Sequence, residues 1–270
     1  MKLFYREMGE GSPLVILHGL YGSSDNWVTI GRELAKEFRV ILVDQRNHGQ
    51  SPHSTQHTYP SMVDDLVELV DSIGFERINL VGHSMGGKTA MLFAHRYPHR
   101  TKSLAVIDIA PTGYDSAKTT VGSGQRDLHS RIIAALSQLD LKVATSREQL
   151  DELLAKSIPD QRVRLFLLKN VKRNDDGTFY WALNINTIAN SMDALMGPIF
   201  SDEQKIMVTT PTLFVKGELS NYIRPDDEEW IRERFSSCTL QVIPNAGHWV
   251  HAEAPVALIA LLKNFTRCIQ

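Results

Sequence analysis

The chain predicts an α/β fold, a mostly parallel central sheet flanked by helices and interrupted by an inserted helical cap. Three observations carry that prediction. Short apolar runs alternate with amphipathic helical segments through the first 111 residues and again from residue 206. The alternation stops between residues 112 and 205, where only helical segments can be read. A Gly-x-Ser-x-Gly pentapeptide, Gly82-His83-Ser84-Met85-Gly86, stands between an apolar run and a helix. The division is therefore a core of residues 1–111 and 206–270, with residues 112–205 inserted as a helical cap or lid.

The elements follow in order. Leu14-Val15-Ile16-Leu17 is a continuous apolar run ending at His18-Gly19, and Asn26 to Phe38 reads as a helix capped by Ser24 or Asp25. Arg39 to Asp44 is the next buried strand. Over Ser61 to Ile73, Met62, Leu66, Leu69, Val70 and Ile73 share one helical face, and Gly74 stops the helix. Arg77 to Val81 and Ser103 to Asp108 are strands on either side of the helix that begins after the pentapeptide and ends at Pro98. Strands that are apolar throughout, rather than alternating, belong to a parallel sheet covered on both faces. Within the insert, Gly113, Gly122 and Gly124 mark loops, and Leu128–Leu139, Arg147–Lys156, Gln161–Val171 and Thr187–Met196 read as helices. The strand–helix rhythm resumes at Thr212–Gly217 and continues with a helix near Asp227–Phe235, a strand Leu240–Ile243 and a final helix from Pro255.

Composition narrows the function. A net charge of −2 gives no electrostatic case for nucleic acid or an anionic membrane. The N-terminal residues Met1 to Glu7 show no signal-peptide core, and no apolar run is long enough to cross a bilayer. Cys238 and Cys268 have no metal or redox spacing and read as reduced thiols of a cytoplasmic protein. No metal or cofactor is expected, the expected partner is a small molecule, and the oligomeric state is left open.

The pentapeptide points to nucleophilic chemistry. A serine on a tight strand-to-helix turn is exposed at the top of the sheet, and the crowding on either side demands Gly82 and Gly86. A serine hydroxyl is a weak nucleophile at neutral pH and needs a base. His248, in the loop after the last strand and preceded by Gly247, is the candidate; His251 is read as a solvated or packing histidine. The expected acid position after the strand that follows the insert holds Ser220, which carries no charge. Asp108, at the end of the strand before the insert, is therefore the favoured acid and Glu218 the reserve. Backbone amides of Leu20 and Met85 are the candidate oxyanion donors.

These residues resemble the α/β-hydrolase superfamily, and more closely its YbfF-like esterase branch. The resemblance rests on Asp44-Gln45-Arg46-Asn47-His48-Gly49-Gln50-Ser51, on Gly82-His83-Ser84-Met85-Gly86-Gly87-Lys88 and on Val106-Ile107-Asp108-Ile109-Ala110-Pro111. It implies the α/β-hydrolase fold with its inserted cap, a cofactor-free carboxylesterase acting on short- to medium-chain esters or on thioesters, and a triad acid before the cap. It also implies that cap aromatics, here Phe179, Tyr180 and Trp181, help to shape the acyl pocket. The first tract is expected to be structural, with Arg46 pairing with carboxylates near the strand ends and no chemistry at His48. Arg162, Arg164, Lys169, Lys172 and Arg173 could meet coenzyme A phosphates, although a solvated helix face is the plainer expectation. Two rivals share the same residues: a carbon–carbon bond hydrolase or lyase using the same triad, and a ligand receptor on the same fold.

Overall fold

The computed structural model describes residues 1–114, 123–200 and 206–269. Its centre is a seven-stranded sheet. The strands are β1 (Tyr5–Met8), β2 (Ser12–Leu17), β3 (Phe38–Val43), β4 (Ile78–His83), β5 (Thr101–Ile107), β8 (Thr212–Gly217) and β9 (Cys238–Ile243), in the spatial order β1-β3-β2-β4-β5-β8-β9. All pairs are parallel except β1 with β3. From β2 the chain turns outward to β3, then returns to the other side of β2 as β4. That reversal is a topological switch point, where the carboxyl ends of β2 and β4 open a crevice.

The helices α1 (Val28–Leu34), α2 (Tyr59–Ile73), α3 (Met85–Arg96), α9 (Pro225–Arg234), α10 (Val250–Glu253) and α11 (Pro255–Arg267) accompany the sheet. Two apolar clusters lie on its faces: Val15, Leu66, Val70, Leu80 and Phe93 belong to one, Ile16, Trp27, Leu34, Leu42 and Leu258 to the other. The helix expected over Asn26–Phe38 is shorter than the sequence suggests. A 3₁₀ turn takes Ser24–Trp27, and the chain leaves α1 at Leu34 so that Phe38 can open β3. Helix α2 begins one turn's edge earlier than expected, capped by Thr58, whose side chain accepts the Ser61 amide; it ends at Gly74 in the left-handed region at φ 77°. Strand β1 has no counterpart in the sequence expectations. It is an edge strand with intermediate burial, so its residues carry no continuous apolar run.

Strands β5 and β8 are neighbours in the sheet, although the chain between them spans about a third of the molecule. This insert contains α4 (Ser123–Gln138), α5 (Arg147–Ala155), α6 (Gln161–Leu168), α7 (Ile185–Asn190) and α8 (Met192–Met196). It also contains an antiparallel hairpin, β6 (Val171–Arg173) with β7 (Phe179–Trp181), where only helices were expected. The loop glycine at 122 and the boundary at 205 lie outside the described residues. Departing and returning chains pair at the neck of the insert: the Tyr114 amide donates to Met196 O at 2.8 Å and the Ile199 amide to Pro111 O at 3.0 Å. Lys88, wholly buried in α3, donates from Nζ to Thr112 O at 2.8 Å and to Gly197 O at 2.6 Å, touching both sides of the neck. Among the described residues, no helix is long and apolar enough to cross a membrane.

Candidate active site

Ser84 sits between β4 and α3 with φ 52° and ψ −120°, a strained conformation for a side chain with a Cβ. The turn is tight enough that a Cβ on Gly82 would collide with the Gly86 carbonyl, and one on Gly86 would come within 2.6 Å of the His18 carbonyl. The two glycines are required by these close approaches.

His248 follows β9 and projects over the carboxyl edge of the sheet. Its Nε2 lies 3.1 Å from Ser84 Oγ and its Nδ1 2.8 Å from Asp108 Oδ2. With Nδ1–H donating to the carboxylate, Nε2 is left to accept the serine proton. Asp108 is fully buried at the end of β5, at φ 50°. Its Oδ1 accepts the Gly217 amide at 2.9 Å, and its Oδ2 also accepts the Ser220 hydroxyl. Ser220, the residue found where an acid was sought, thus turns its hydroxyl onto the carboxylate that stands in for it. Glu218, the reserve acid, points away: its Oε2 accepts the Asn245 amide at 2.8 Å, in a solvent-exposed loop.

Two further groups hold His248, one at its ring and one at its backbone, and neither was given a role from sequence. Tyr222 stacks on His248, ring centroids 3.7 Å apart and planes 18° from parallel. His83, the variable residue of the pentapeptide, donates from Nε2 to the His248 carbonyl at 2.9 Å. Burial holds the His83 pKa well below its ordinary value, so this ring stays neutral. His251 is buried against Trp27 in a stacked pair 4.8 Å apart, and burial lowers its pKa to about 3. It packs; it is not solvated.

The Leu20 amide donates to no protein group among the described residues, and Met85 opens α3, where the first amides have no intrahelical acceptor. Both residues border Ser84. The loop that carries Leu20 is held by the polar tract after β3. The Tyr21 amide donates to His48 Nε2 at 3.3 Å while His48 Nδ1 donates to Arg46 O at 2.9 Å. The Gln45 amide donates to His18 Nε2 at 3.0 Å, and Gln45 Nε2 donates to His18 O at 2.7 Å. Burial lowers the His18 pKa to about 4 and that of His48 to about 3, so both rings remain neutral acceptors. Arg46 makes a buried two-pronged pair with Asp65 of α2, at 2.6 and 2.8 Å. From the insert, Asn170 Nδ2 donates to Tyr21 O at 2.7 Å and the Asn184 amide to Asn47 O at 3.0 Å.

A cavity of about 390 Å³ opens at Ser84, bordered by His248, Trp249, Phe166, Val163, Ile132 and Leu219 among others. Phe179, Tyr180 and Trp181 do not border it. They lie on β7, paired with β6; the Arg173 guanidinium covers Phe179, and Tyr180 faces solvent. The aromatic wall comes instead from α6 and the His248 loop, Phe166 and Trp249 lying 5.2 Å apart. The basic residues of the insert are largely engaged within the protein: Arg164 with Asp151 at 2.7 Å, Arg162 with Asp160 at 3.1 Å, Lys172 with Asp25 at 3.6 Å, and Arg173 with the Gly177 and Thr145 carbonyls.

A strained serine, a histidine hydrogen-bonded to it, a buried carboxylate behind the histidine and amides beside the hydroxyl, all at the switch point of a parallel sheet, form the arrangement that a serine nucleophile needs on an α/β sheet. The family model for the alpha/beta hydrolase fold matches residues 12–255, and the chain belongs to that family. Within it the chain stands with the YbfF-like esterases: it is 32% identical to esterase YbfF of Escherichia coli, over 94% of this chain and 92% of the relative. It is 38% identical to the sn-1-specific diacylglycerol lipase ABHD11 of Mus musculus, over 93% of this chain and 80% of the relative. A solved marine microorganism esterase superposes with a TM-score of 0.92 at 44% identity, covering 98% of this chain and 99% of the other.

Proposed function

We propose that the chain is a carboxylic ester hydrolase, a serine carboxylesterase acting on short- to medium-chain esters through an acyl-enzyme on Ser84, with acyl thioesters as a further substrate class. The single observation that carries the reading is the hydrogen-bonded line from Ser84 Oγ through His248 to buried Asp108. In the first step Ser84 Oγ attacks the carbonyl carbon as His248 Nε2 takes its proton. Asp108 holds the imidazole in the tautomer that accepts at Nε2 and stabilises the imidazolium that forms. The Leu20 and Met85 amides receive the oxyanion. His248 then gives the proton to the leaving alkoxide, and in the second step takes one from water, which releases the acid and restores Ser84. Residues 112–205 act as the cap that closes the pocket over the serine.

The test is hydrolysis of p-nitrophenyl acetate and butyrate by the wild type and by Ser84→Ala, Asp108→Asn and Glu218→Gln. Loss of about 10³-fold or more in kcat is expected for the first two and little change for the third. Full activity in Ser84→Ala, or a loss in Glu218→Gln equal to that in Asp108→Asn, overturns the assignment. The rival carbon–carbon hydrolase would leave all these esters nearly untouched while cleaving a diketone.

A further inference from the structure

Two spaces meet at Ser84, and they differ in size and in part of their lining. One is the cavity of about 390 Å³, bordered by the Gly247-His248-Trp249 loop. The other is a narrow slot with about 10 Å³ of free volume, bordered by Tyr59, Met85, Ile109, Tyr114, Leu195 and Met196; the two spaces share Leu20, Ser84, His129 and Tyr222. Free volume of that order holds roughly one water-sized group, such as a methyl. The walls of the slot are mostly apolar: the hydroxyls of Tyr59 and Tyr114 are turned onto backbone carbonyls, and His129 Nε2 and Tyr222 Oη face each other at 3.1 Å. Tyr59 Oη donates to Leu195 O at 2.8 Å and Tyr114 Oη to Tyr222 O at 2.7 Å. All six wall residues are buried, so side-chain packing opposes expansion of the slot.

We infer that the acyl limb of the substrate occupies the slot and the alcohol limb the open cavity, so that the enzyme selects short acids, of acetyl to propionyl size, esterified to large apolar alcohols. This rests on the serine esterase reading above. The direction follows from proton transfer. His248 must protonate the leaving oxygen as the carbon–oxygen bond to the alcohol breaks, so that oxygen and its alkyl group lie where His248 is exposed. His248 borders the open cavity and not the slot. Met85, whose amide faces the carbonyl oxygen, borders the slot and not the open cavity. With the carbonyl oxygen at the amides and the alkoxide at His248, the remaining substituent of the carbonyl carbon is directed into the slot. The alcohol then departs through the cavity, and water enters by the same route to meet His248. Trp249 and Phe166 give the alcohol limb an aromatic wall.

The experiment measures kcat/KM for esters matched in leaving-group basicity: ethyl acetate, ethyl octanoate and hexyl acetate. Ethyl acetate is expected to exceed ethyl octanoate by about tenfold or more, while hexyl acetate exceeds ethyl acetate by a similar factor. Leu195→Ala opens the slot and is expected to raise the octanoate-to-acetate ratio about tenfold; Met196→Ala, at the more accessible end of the same wall, serves if the first variant loses its fold by circular dichroism. Octanoate equal to or better than acetate in the wild type overturns the limb assignment, and so does a ratio that neither folded variant moves. In both cases the esterase reading survives. No hydrolysis of any ester, together with no labelling of Ser84 by a fluorophosphonate, removes that reading and this one with it.

Discussion

Ser220 completes the set of donors around Asp108, the proposed acid. Asp108 accepts from the Gly217 amide, from the Ser220 hydroxyl and from His248 Nδ1, so its charge is spread over three donors fixed by β8 and the loops that follow β8 and β9. Removing one donor to a buried carboxylate costs about 1–3 kcal/mol and loosens the orientation of its partner. Ser220→Ala is therefore expected to lower kcat about tenfold with KM little changed, measured on p-nitrophenyl acetate. Ser220→Asp is expected to be worse, because two buried carboxylates would compete for one proton. An unaltered kcat in Ser220→Ala would mean that the Gly217 amide alone fixes Asp108. In sequence, the chain order of serine, acid and histidine, with no carboxylate at Ser220, favours Asp108 and keeps Glu218 in reserve. The donor role of Ser220 was not legible: it depends on β5 and β8 lying side by side, and 112 residues separate the partners. Tyr222 and His83 escaped notice for the same reason, because stacking and a bond to a backbone carbonyl leave no spacing in sequence.

At the scale of elements, legibility follows burial. Strands β2, β3, β4 and β5 are covered on both faces and read as apolar runs, whereas β1 at the edge and the three-residue strands β6 and β7 carry no such run. A helix pattern and a hairpin of that length are not distinguishable by periodicity. The aromatic run Phe179 to Trp181, which the resemblance implied for a pocket wall, lies in that hairpin. The neck of the insert is bridged by Lys88, which reaches Thr112 O and Gly197 O from one wholly buried position between the rings of Tyr59 and Tyr114. Burial brings its pKa down to about 7. Lys88→Met keeps the length and apolar stem but strands two half-buried carbonyls. The expected loss is about 2 kcal/mol or more, a fall in Tm of roughly 4–8 °C for a chain of this size. Differential scanning calorimetry reads it directly, and a Tm within a degree of wild type would show that the neck is held by its backbone pairs alone.

For the molecule as a whole, buried neutral histidines make stability depend on mild acid. Burial lowers His18 to about 4, His48 to about 3 and His129 to about 4, each from an ordinary 6.5. His129, on α4 of the insert, lies 3.1 Å from the Tyr222 hydroxyl and 3.4 Å from that of Tyr21; the other two hold the loop that carries Leu20. Between pH 6.5 and 4 the unfolded chain binds protons at all three while the folded chain does not. Stability is therefore full above 6.5 and declines as pH falls, each ring contributing a slope of about 1.4 kcal/mol per pH unit within its window. Asp227, held below its ordinary 3.8 by Arg224 and Thr112 despite its burial, contributes only at lower pH, so the two effects separate. Tm measured from pH 7 to 4 is expected to fall steadily, and His48→Gln, which retains an acceptor for the Tyr21 amide but cannot take up a proton, is expected to flatten that decline by about one proton. A wild-type Tm that holds constant to pH 4 would mean that these rings are protonated in the folded protein, and the neutral scaffold beneath the Leu20 loop would have to be abandoned. Because that loop carries one of the two amides proposed for the oxyanion, acid that protonates His18 or His48 is expected to reach the reaction before it reaches the β-sheet.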